Sequence, residues 1–465
     1  MHNSKNHIIE SGLRDWKPRG VRHKVASESL LQLSSIPEDW RWVYLGQVAA
    51  LQPGYAFKSS MFVDDGIKLL RGTNIIPGDT RWEDTVHLDQ RSAENYSDYL
   101  LNDGDIVIAM DRPLISSGLK VAQLTSKDLP SLLLQRVGRF KLECAIDRDF
   151  LFFFLKSNLF IEHITALATG TQLPHISQND IESARIPLPP ISIQTKIVEK
   201  LQLLTYRLNN IRDSLNLTLT AVSQYRRAVI AKEIVGNSNA TFTSLSAQTK
   251  WPLFKLGQLI ERPKYGTSKK CHSEVHGIAV LRIPNLVNGR IDHSDLKYTD
   301  LTEAEAQDLS LTFGDILIIR SNGSLSLVGN SAVVEKSDEH CSFAGYLIRL
   351  RPLRDKLDPK YLNYCLKSQF IREQIESAAK STSGVNNINS EEIKGLHIPV
   401  PPIEIQLQIV ESLDKKLTVA DSVESQCSLA LQRLLNLENA ILRKAFFGQL
   451  DIPAAKTGTT SLVSV

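Results

Sequence analysis

The chain of 465 residues is 42% hydrophobic and 23% charged, an ordinary globular composition with room for two to four domains. Its 54 basic residues nearly cancel 51 acidic ones, so a net charge of +3 gives little support for a polyanion partner, and any basic surface must come from local clustering. Residues 1–10 hold no apolar run, the apolar stretch 150–155 is too short to span a bilayer, and five scattered cysteines (Cys144, Cys271, Cys341, Cys365, Cys427) suit free thiols, mostly buried, in a reducing cytoplasm.

Residues 1–38 form an N-terminal segment carrying Arg14, Lys17, Arg19, Arg22 and Lys24. A domain over 39–187 follows, with a strand-like run Ile106-Val-Ile-Ala109 after Asp103-Gly104-Asp105 and a helical patch over 150–167, which predicts an α+β domain with a twisted sheet and long loops. Pro189-Pro190 fixes φ and favours a first helical turn, so 188–236 is expected to be a long helix stopped by Gly236. Its apolar positions step by four and three through Ile197, Leu201, Leu204, Leu208, Ile211, Leu215, Thr218, Val222, Tyr225 and Val229, a heptad seam broken only by Thr218.

Residues 237–250 read as a linker. A second α+β domain spans 251–399, with Ile316-Leu-Ile-Ile319 after Gly314-Asp315 and a helical patch over 359–379. Pro401-Pro402 opens a second long helix within 400–448, whose seam runs through Ile409, Leu413, Lys416, Ala420, Val423, Cys427, Ala430, Leu434, Leu437 and Ile441, with only Lys416 out of character. The tail, 449–465, is expected to be disordered. The two helices are expected to pair as an antiparallel coiled coil, ordinary bundle helices being the alternative. At about 1.5 Å per residue, some 40 residues make a rod of roughly 60 Å.

The chain says nearly the same thing twice. Ile186-Pro-Leu-Pro-Pro-Ile-Ser-Ile-Gln-Thr-Lys-Ile-Val-Glu199 returns 212 residues later as Ile398-Pro-Val-Pro-Pro-Ile-Glu-Ile-Gln-Leu-Gln-Ile-Val-Glu411, and Ala228 to Gly236 lines up with Ala440 to Gly448 at the same offset. Upstream, Leu45-Gly-Gln47 matches Leu256-Gly-Gln258, Leu70-Arg71 matches Leu281-Arg282, Asn74 matches Asn285, and Gly104-Asp-Ile106 matches Gly314-Asp-Ile316. Between these anchors the copies diverge, the pattern of a shared scaffold carrying different surfaces.

Several loops bring cations together with hydrogen-bonding groups: Lys58 and Ser59, Arg71 and Asn74, Arg112, and Ser116 in the first half. Lys264, Lys269 and Lys270, Arg282 and Asn285, and Arg320 and Asn322 stand in the second. Lysines and backbone amides suit phosphates, while Arg and Asn bond base edges bidentately. The plainer reading of each is a solvated charge or turn former. Cys271-His272 with His276 falls short of the four ligands a structural zinc site needs, so no metal is expected. Glu392-Ile-Lys394 has a nuclease-like pattern, yet it aligns with Asp180-Ile-Glu182 and points to a helix start or turn. Neither a methyltransferase cofactor loop with its Asn-Pro-Pro-aromatic tetrapeptide nor a phosphate-binding loop is present.

The duplicated Ile-Pro-x-Pro-Pro-Ile-x-Ile-Gln-x-x-Ile-Val-Glu segment, each copy following a domain that opens with Trp and Leu-Gly and contains Gly-Asp-Ile, strongly resembles type I restriction-modification specificity subunits. The resemblance covers nearly the whole chain. It implies two α+β target-recognition domains, each reading half of a split DNA sequence, separated by long antiparallel coiled-coil helices with pseudo-two-fold symmetry that act as a ruler. The implied partners are double-stranded DNA, two methyltransferase subunits and, through these, restriction subunits. S-adenosylmethionine, ATP and Mg would be used by those other subunits, with no cofactor and no catalytic residue in this chain. The 1–38 segment is then either an extension that contacts the methyltransferase or a flexible arm. Because the two domains differ in sequence, their half-sites should differ too. The rival readings are a DNA-modifying enzyme with unrecognised motifs and a purely structural coiled-coil scaffold.

Overall fold

The computed structural model describes residues 12–19, 36–167, 175–382 and 384–451. The chain forms two compact units, residues 1–213 with 431–465 and residues 214–430.

In the first unit the strand Ile106–Ala109 lies within a four-stranded antiparallel sheet, between Val121–Gln123 and Val137–Leu142, with Ala49–Pro53 beyond the latter. All four of its residues are buried because both faces of the sheet are covered. Ile106 and Ile108 join Phe150, Phe154 and Phe160 in one core, while Val107 and Ala109 join Leu70, Ile75 and Leu133 in another. Burial on both faces is why the run is apolar throughout and does not alternate. A second sheet pairs Ser131–Leu133 in parallel with Ile67–Leu70, which Val86–Leu88 flanks. Arg41–Tyr44 pairs with Arg185–Leu188, so the domain closes where the long helix begins.

The second unit repeats this plan. Ile316–Ile319 lies between Ser331–Val333 and Leu347–Leu350, Ser342–Phe343 runs parallel to Ile278–Leu281, and Leu253–Lys255 pairs with His397–Pro399. The shared Gly-Asp-Ile is turn geometry: Gly104 and Gly314 sit at φ +81° and +87°, which glycine adopts without a Cβ clash. Asp105 and Asp315 then accept the N–H groups of Asn102 and Thr312 across the turn, both at 2.9 Å. Arg139 and Arg351 hold the two carboxylates.

The long helices span Ile191–Val235 and Ile403–Phe446, directly after the proline pairs. Gly236 and Gly448 follow them in the left-handed region. Antiparallel pairing is visible within each unit taken alone. In the first, Ile197 and Leu201 share a core with Leu442 and Phe446, and Arg212 pairs with Glu438 at 2.8 Å. In the second, Ile230 and Ile234 share a core with Ile409, Leu413 and Leu417, and Arg226 pairs with both Asp421 and Glu424.

The seam departs from the sequence reading at a few positions. Ile197, Leu201, Leu208, Ile409, Leu413 and Leu434 are buried, and Leu204, Leu215, Val222, Val423 and Ile441 are half-buried. Ile211 (49% exposed), Tyr225 (46%) and Leu437 (48%) face solvent instead. The residues one step along, Arg212, Arg226 and Glu438, are the half-buried ones. Each is half-buried with its charge paired, so an ion pair takes the place an apolar residue was expected to fill. Lys416 is exposed for the same reason: Leu417 is buried, and Lys416 pairs with Glu233.

Two further expectations change. Residues 12–19 are docked on the first domain, where Trp16 donates its indole N–H to Glu182 at 2.9 Å and covers Gly46 so closely that a Cβ there would lie 2.5 Å from the ring. Arg14 donates to the Gly46 carbonyl and pairs with Glu143. This part of the N-terminal segment is therefore no flexible arm; Arg22 and Lys24 lie outside the described residues. The expected linker, 237–250, contains the helix Phe242–Gln248, and its Ala240 and Leu245 are buried in the second core. Of the tail, residues 452–465 lie outside the described residues. No single helix among the described residues is long and apolar enough to cross a membrane. The five cysteines are free, with Cys341, Cys365 and Cys427 buried and Cys144 exposed.

Candidate nucleic-acid interface

In each domain a cleft opens between the loop that follows the parallel strand pair and the end of the central strand. The first measures about 760 Å³ and is lined by Arg71, Thr73, Asp111, Arg112, Lys120, Gln135, Arg136 and His175. The second measures about 650 Å³ and is lined by Lys269, Arg282, Lys297, Arg320, Ser321 and Tyr346, among others. Four cations in each lining supply the local clustering that the near-neutral chain as a whole lacks.

The clefts are equivalent places in the two domains. Met110 N–H donates to the Arg136 carbonyl at 2.8 Å, and Ile176 N–H to the Met110 carbonyl at 2.9 Å. In the second domain Arg320 N–H donates to the Tyr346 carbonyl at 2.9 Å, and Ile388 N–H to the Arg320 carbonyl at 2.8 Å. Arg136 therefore stands where Tyr346 does. Asp111 bridges His175 as Ser321 pairs with Asn387. One frame carries two different linings.

Asn74 and Asn285, expected to read bases, are each 1% exposed. Each side-chain oxygen accepts the N–H of the arginine three residues earlier, Arg71 at 3.1 Å and Arg282 at 2.8 Å. Each amide donates across the loop, to the Arg81 carbonyl at 3.1 Å and the Asp292 carbonyl at 2.9 Å. These asparagines lock their loops and are closed to a ligand. Arg71 and Arg282 line the clefts, but each commits an amino group to a carboxylate of its own loop, Asp84 at 3.2 Å and Asp295 at 2.8 Å. Their recurrence in both copies was the available signal, because what two divergent domains share is the frame. Asn285→Ala is expected to cost about 2 kcal/mol by leaving the Arg282 N–H and the Asp292 carbonyl unpaired, measured by urea denaturation. An unchanged midpoint would mean that the loop is held by other contacts.

Of the other candidates, Arg112, Lys269 and Arg320 line the clefts. Lys269 is paired with Glu305 at 2.6 Å, and that hydrogen bond holds the Glu305 carboxyl down at about 2. Lys264 pairs with Asp308, Lys270 is exposed beside Lys269, and Asn322 lies in the short strand Ser321–Asn322. Lys58, Ser59 and Ser116 are exposed and line neither cleft. Residues that the sequence did not single out are Lys120, Arg136, His175, Lys297 and Tyr346. Lys120 donates Nζ to the Gly72 carbonyl at 2.7 Å, and burial, with Arg112 nearby, lowers its pKa from the ordinary lysine value.

Glu392 accepts the Asn389 N–H at 2.8 Å at the start of the helix Ser390–Lys394, as Asp180 accepts the Ser177 N–H at 2.7 Å, so the nuclease-like tripeptide is a helix cap. Among the described residues, no group of three or more His, Cys, Asp and Glu side chains could hold a metal ion.

A duplicated α+β head, each copy bearing a cationic cleft of different lining and each followed by a long helix, defines a two-headed DNA-recognition protein. Residues 37–220 and 248–426 match the type I restriction modification DNA specificity domain, and the chain belongs to that family. It is a specificity subunit of the type I restriction-modification class, and these domains serve DNA target recognition. The chain is 27% identical over 430 residues to the type I restriction enzyme EcoKI specificity subunit of Escherichia coli strain K12, covering 90% of this chain and 91% of that protein. It is 40% identical over 178 residues to the EcoAI specificity subunit of Escherichia coli, covering 38% of this chain and 30% of that one. A chain in a solved structure concerned with complex assembly and conformational transition of the type I R-M system shares the fold, with a TM-score of 0.64 at 21% identity over 90% of this chain and all of that one.

Proposed function

We propose that this chain reads a bipartite, asymmetric DNA target, one half-site per domain, and performs no chemistry itself. The observation that carries this is the pair of equivalent cationic clefts, which share Arg71 and Arg282 but differ where Asp111 and Arg136 in one stand against Ser321 and Tyr346 in the other. Lysines and arginines engage phosphates and base edges, and unlike linings suit unlike half-sites. Two methyltransferase subunits dock on the chain, and restriction subunits join through them. Those partners bind S-adenosylmethionine, ATP and Mg. Docking is supported by large apolar side chains left exposed on the long helices, such as Tyr206 (65%) in the first unit and Leu217 (70%) in the second.

The test is to express the chain with its methyltransferase and map the modified bases in host DNA. A split motif with two unlike halves is expected. A palindromic or continuous motif would contradict one unlike reader per domain. Modification by the purified chain alone, given a methyl donor and Mg, would contradict the non-catalytic reading.

A further inference from the structure

Among the described residues only three besides glycine have a clearly left-handed backbone: Arg112 at φ 43°, Arg136 at φ 65° and Asn288 at φ 51°. Asn288 precedes Gly289 in the tight turn between the strands Leu286–Val287 and Arg290–Ile291, where such a conformation is what the turn requires. Arg136 is the third residue of the turn closed by the Val137 N–H on the Leu134 carbonyl at 3.2 Å, a position that glycine usually takes. A left-handed arginine costs roughly 1–2 kcal/mol, and both instances stand on the rim of the first cleft. Strain kept by a side chain that glycine could replace more cheaply points to a use for that side chain.

The guanidinium geometry says what the use is. Arg136 donates Nη1 to Oδ2 of Asp111, and its side chain remains 68% exposed. Oδ1 of the same carboxylate is paired with His175 Nδ1 at 2.6 Å. Burial works to raise the Asp111 pKa, but the hydrogen bonds and charges of Arg136 and His175 hold it below the usual range. With both oxygens engaged, Asp111 is not free to accept from a base. It holds an arginine that lines the open cleft with its side chain largely exposed, and a held guanidinium matches the O6 and N7 acceptors of guanine in the major groove. The equivalent places in the second domain hold Ser321, Tyr346 and Asn387, so this arrangement belongs to one head alone.

We propose that Arg136, aimed by the positioning residue Asp111, reads a guanine in the half-site of the first domain. The proposal rests on the DNA-reading assignment above.

Arg136→Gly is the sharpest variant, because glycine accepts φ 65° without strain and the change deletes only the reader. The full chain is expressed with its methyltransferase and offered a target library randomised at each position of the motif. Wild type should require guanine at one position of one half-site. Arg136→Gly and Asp111→Asn should each weaken that preference by about tenfold or more and leave the other half-site unchanged. Arg136→Lys should fail to restore it, since an ammonium cannot bond both acceptors from one plane.

A motif unchanged in Arg136→Gly overturns the proposal. So does a uniform loss across all targets with a shallower salt dependence, which marks a phosphate contact. Uniform loss in Asp111→Asn would make Asp111 merely structural and remove its positioning role. A wild-type complex with no split motif overturns the DNA-reading assignment itself and the proposal with it, which separates the two failures.

Discussion

Gln406→Leu is expected to destabilise the second unit by about 4 kcal/mol, although it replaces one buried side chain by another of similar size. Gln406 is fully buried. Its Nε2 donates to the carbonyls of Lys356 and Pro401, each at 2.9 Å, and its Oε1 accepts the Asp358 N–H at 2.8 Å. One side chain therefore satisfies three backbone groups where the domain, the proline pair and the long helix meet. Leucine fills the space but leaves two carbonyls and one N–H without partners, each costing about 1–3 kcal/mol. Gln194 repeats the arrangement in the first unit, to Ala145, Pro189 and Asp147. Gln194→Leu should therefore cost a similar amount. The measurement is the urea midpoint of each variant. A loss below about 1 kcal/mol in both would mean that water or a rearranged turn satisfies these groups.

The second large effect is expected from Phe446→Ala, at about 3–5 kcal/mol. Phe446 is fully buried at the end of the last helix, yet it belongs to the first unit. Its ring meets Phe150 and Phe154 edge-on, with centroids 5.2 and 5.5 Å apart. Truncation opens a cavity in the core that also holds the central strand of the first domain, and it removes two aromatic contacts worth about 0.5–1.5 kcal/mol each. Hydrogen exchange should show the loss of protection around residues 148–155 and 106–109, far from residue 446 in sequence. If protection falls only near the C-terminus, the helix end is not integral to the first core.

Much of the fold was legible because it is written locally. Proline pairs restrict φ at a helix start, glycine permits the left-handed stop, and the Gly-Asp-Ile segments mark the turn into a central strand. The seam was legible only in part. A pattern of apolar residues placed Ile211 and Tyr225 inward, whereas Arg212 and Arg226 turn inward because Glu438, Asp421 and Glu424 await them on the other helix. Hydrophobicity within one helix cannot report a charge on its partner.

The clefts were less legible still. Asp111, Arg136 and His175 are separated by 25 and 64 residues from the carboxylate outward, and only strand pairing brings them together. Arg71 and Asn74 drew attention because a cation and an amide stand close in sequence, yet the buried amide locks the loop and only the arginine reaches the cleft.

The order of residues alone carried the duplicated plan and the family, through a segment repeated 212 residues apart, and the starts and stops of the long helices, through proline and glycine preferences a few residues wide. Only the tertiary contacts settle which side of each helix is buried, that the final turns of the last helix complete the first core, and which polar residues lock a loop and which face open space. Those outcomes depend on partners brought together across the chain, and burial and pairing energies act only once they meet.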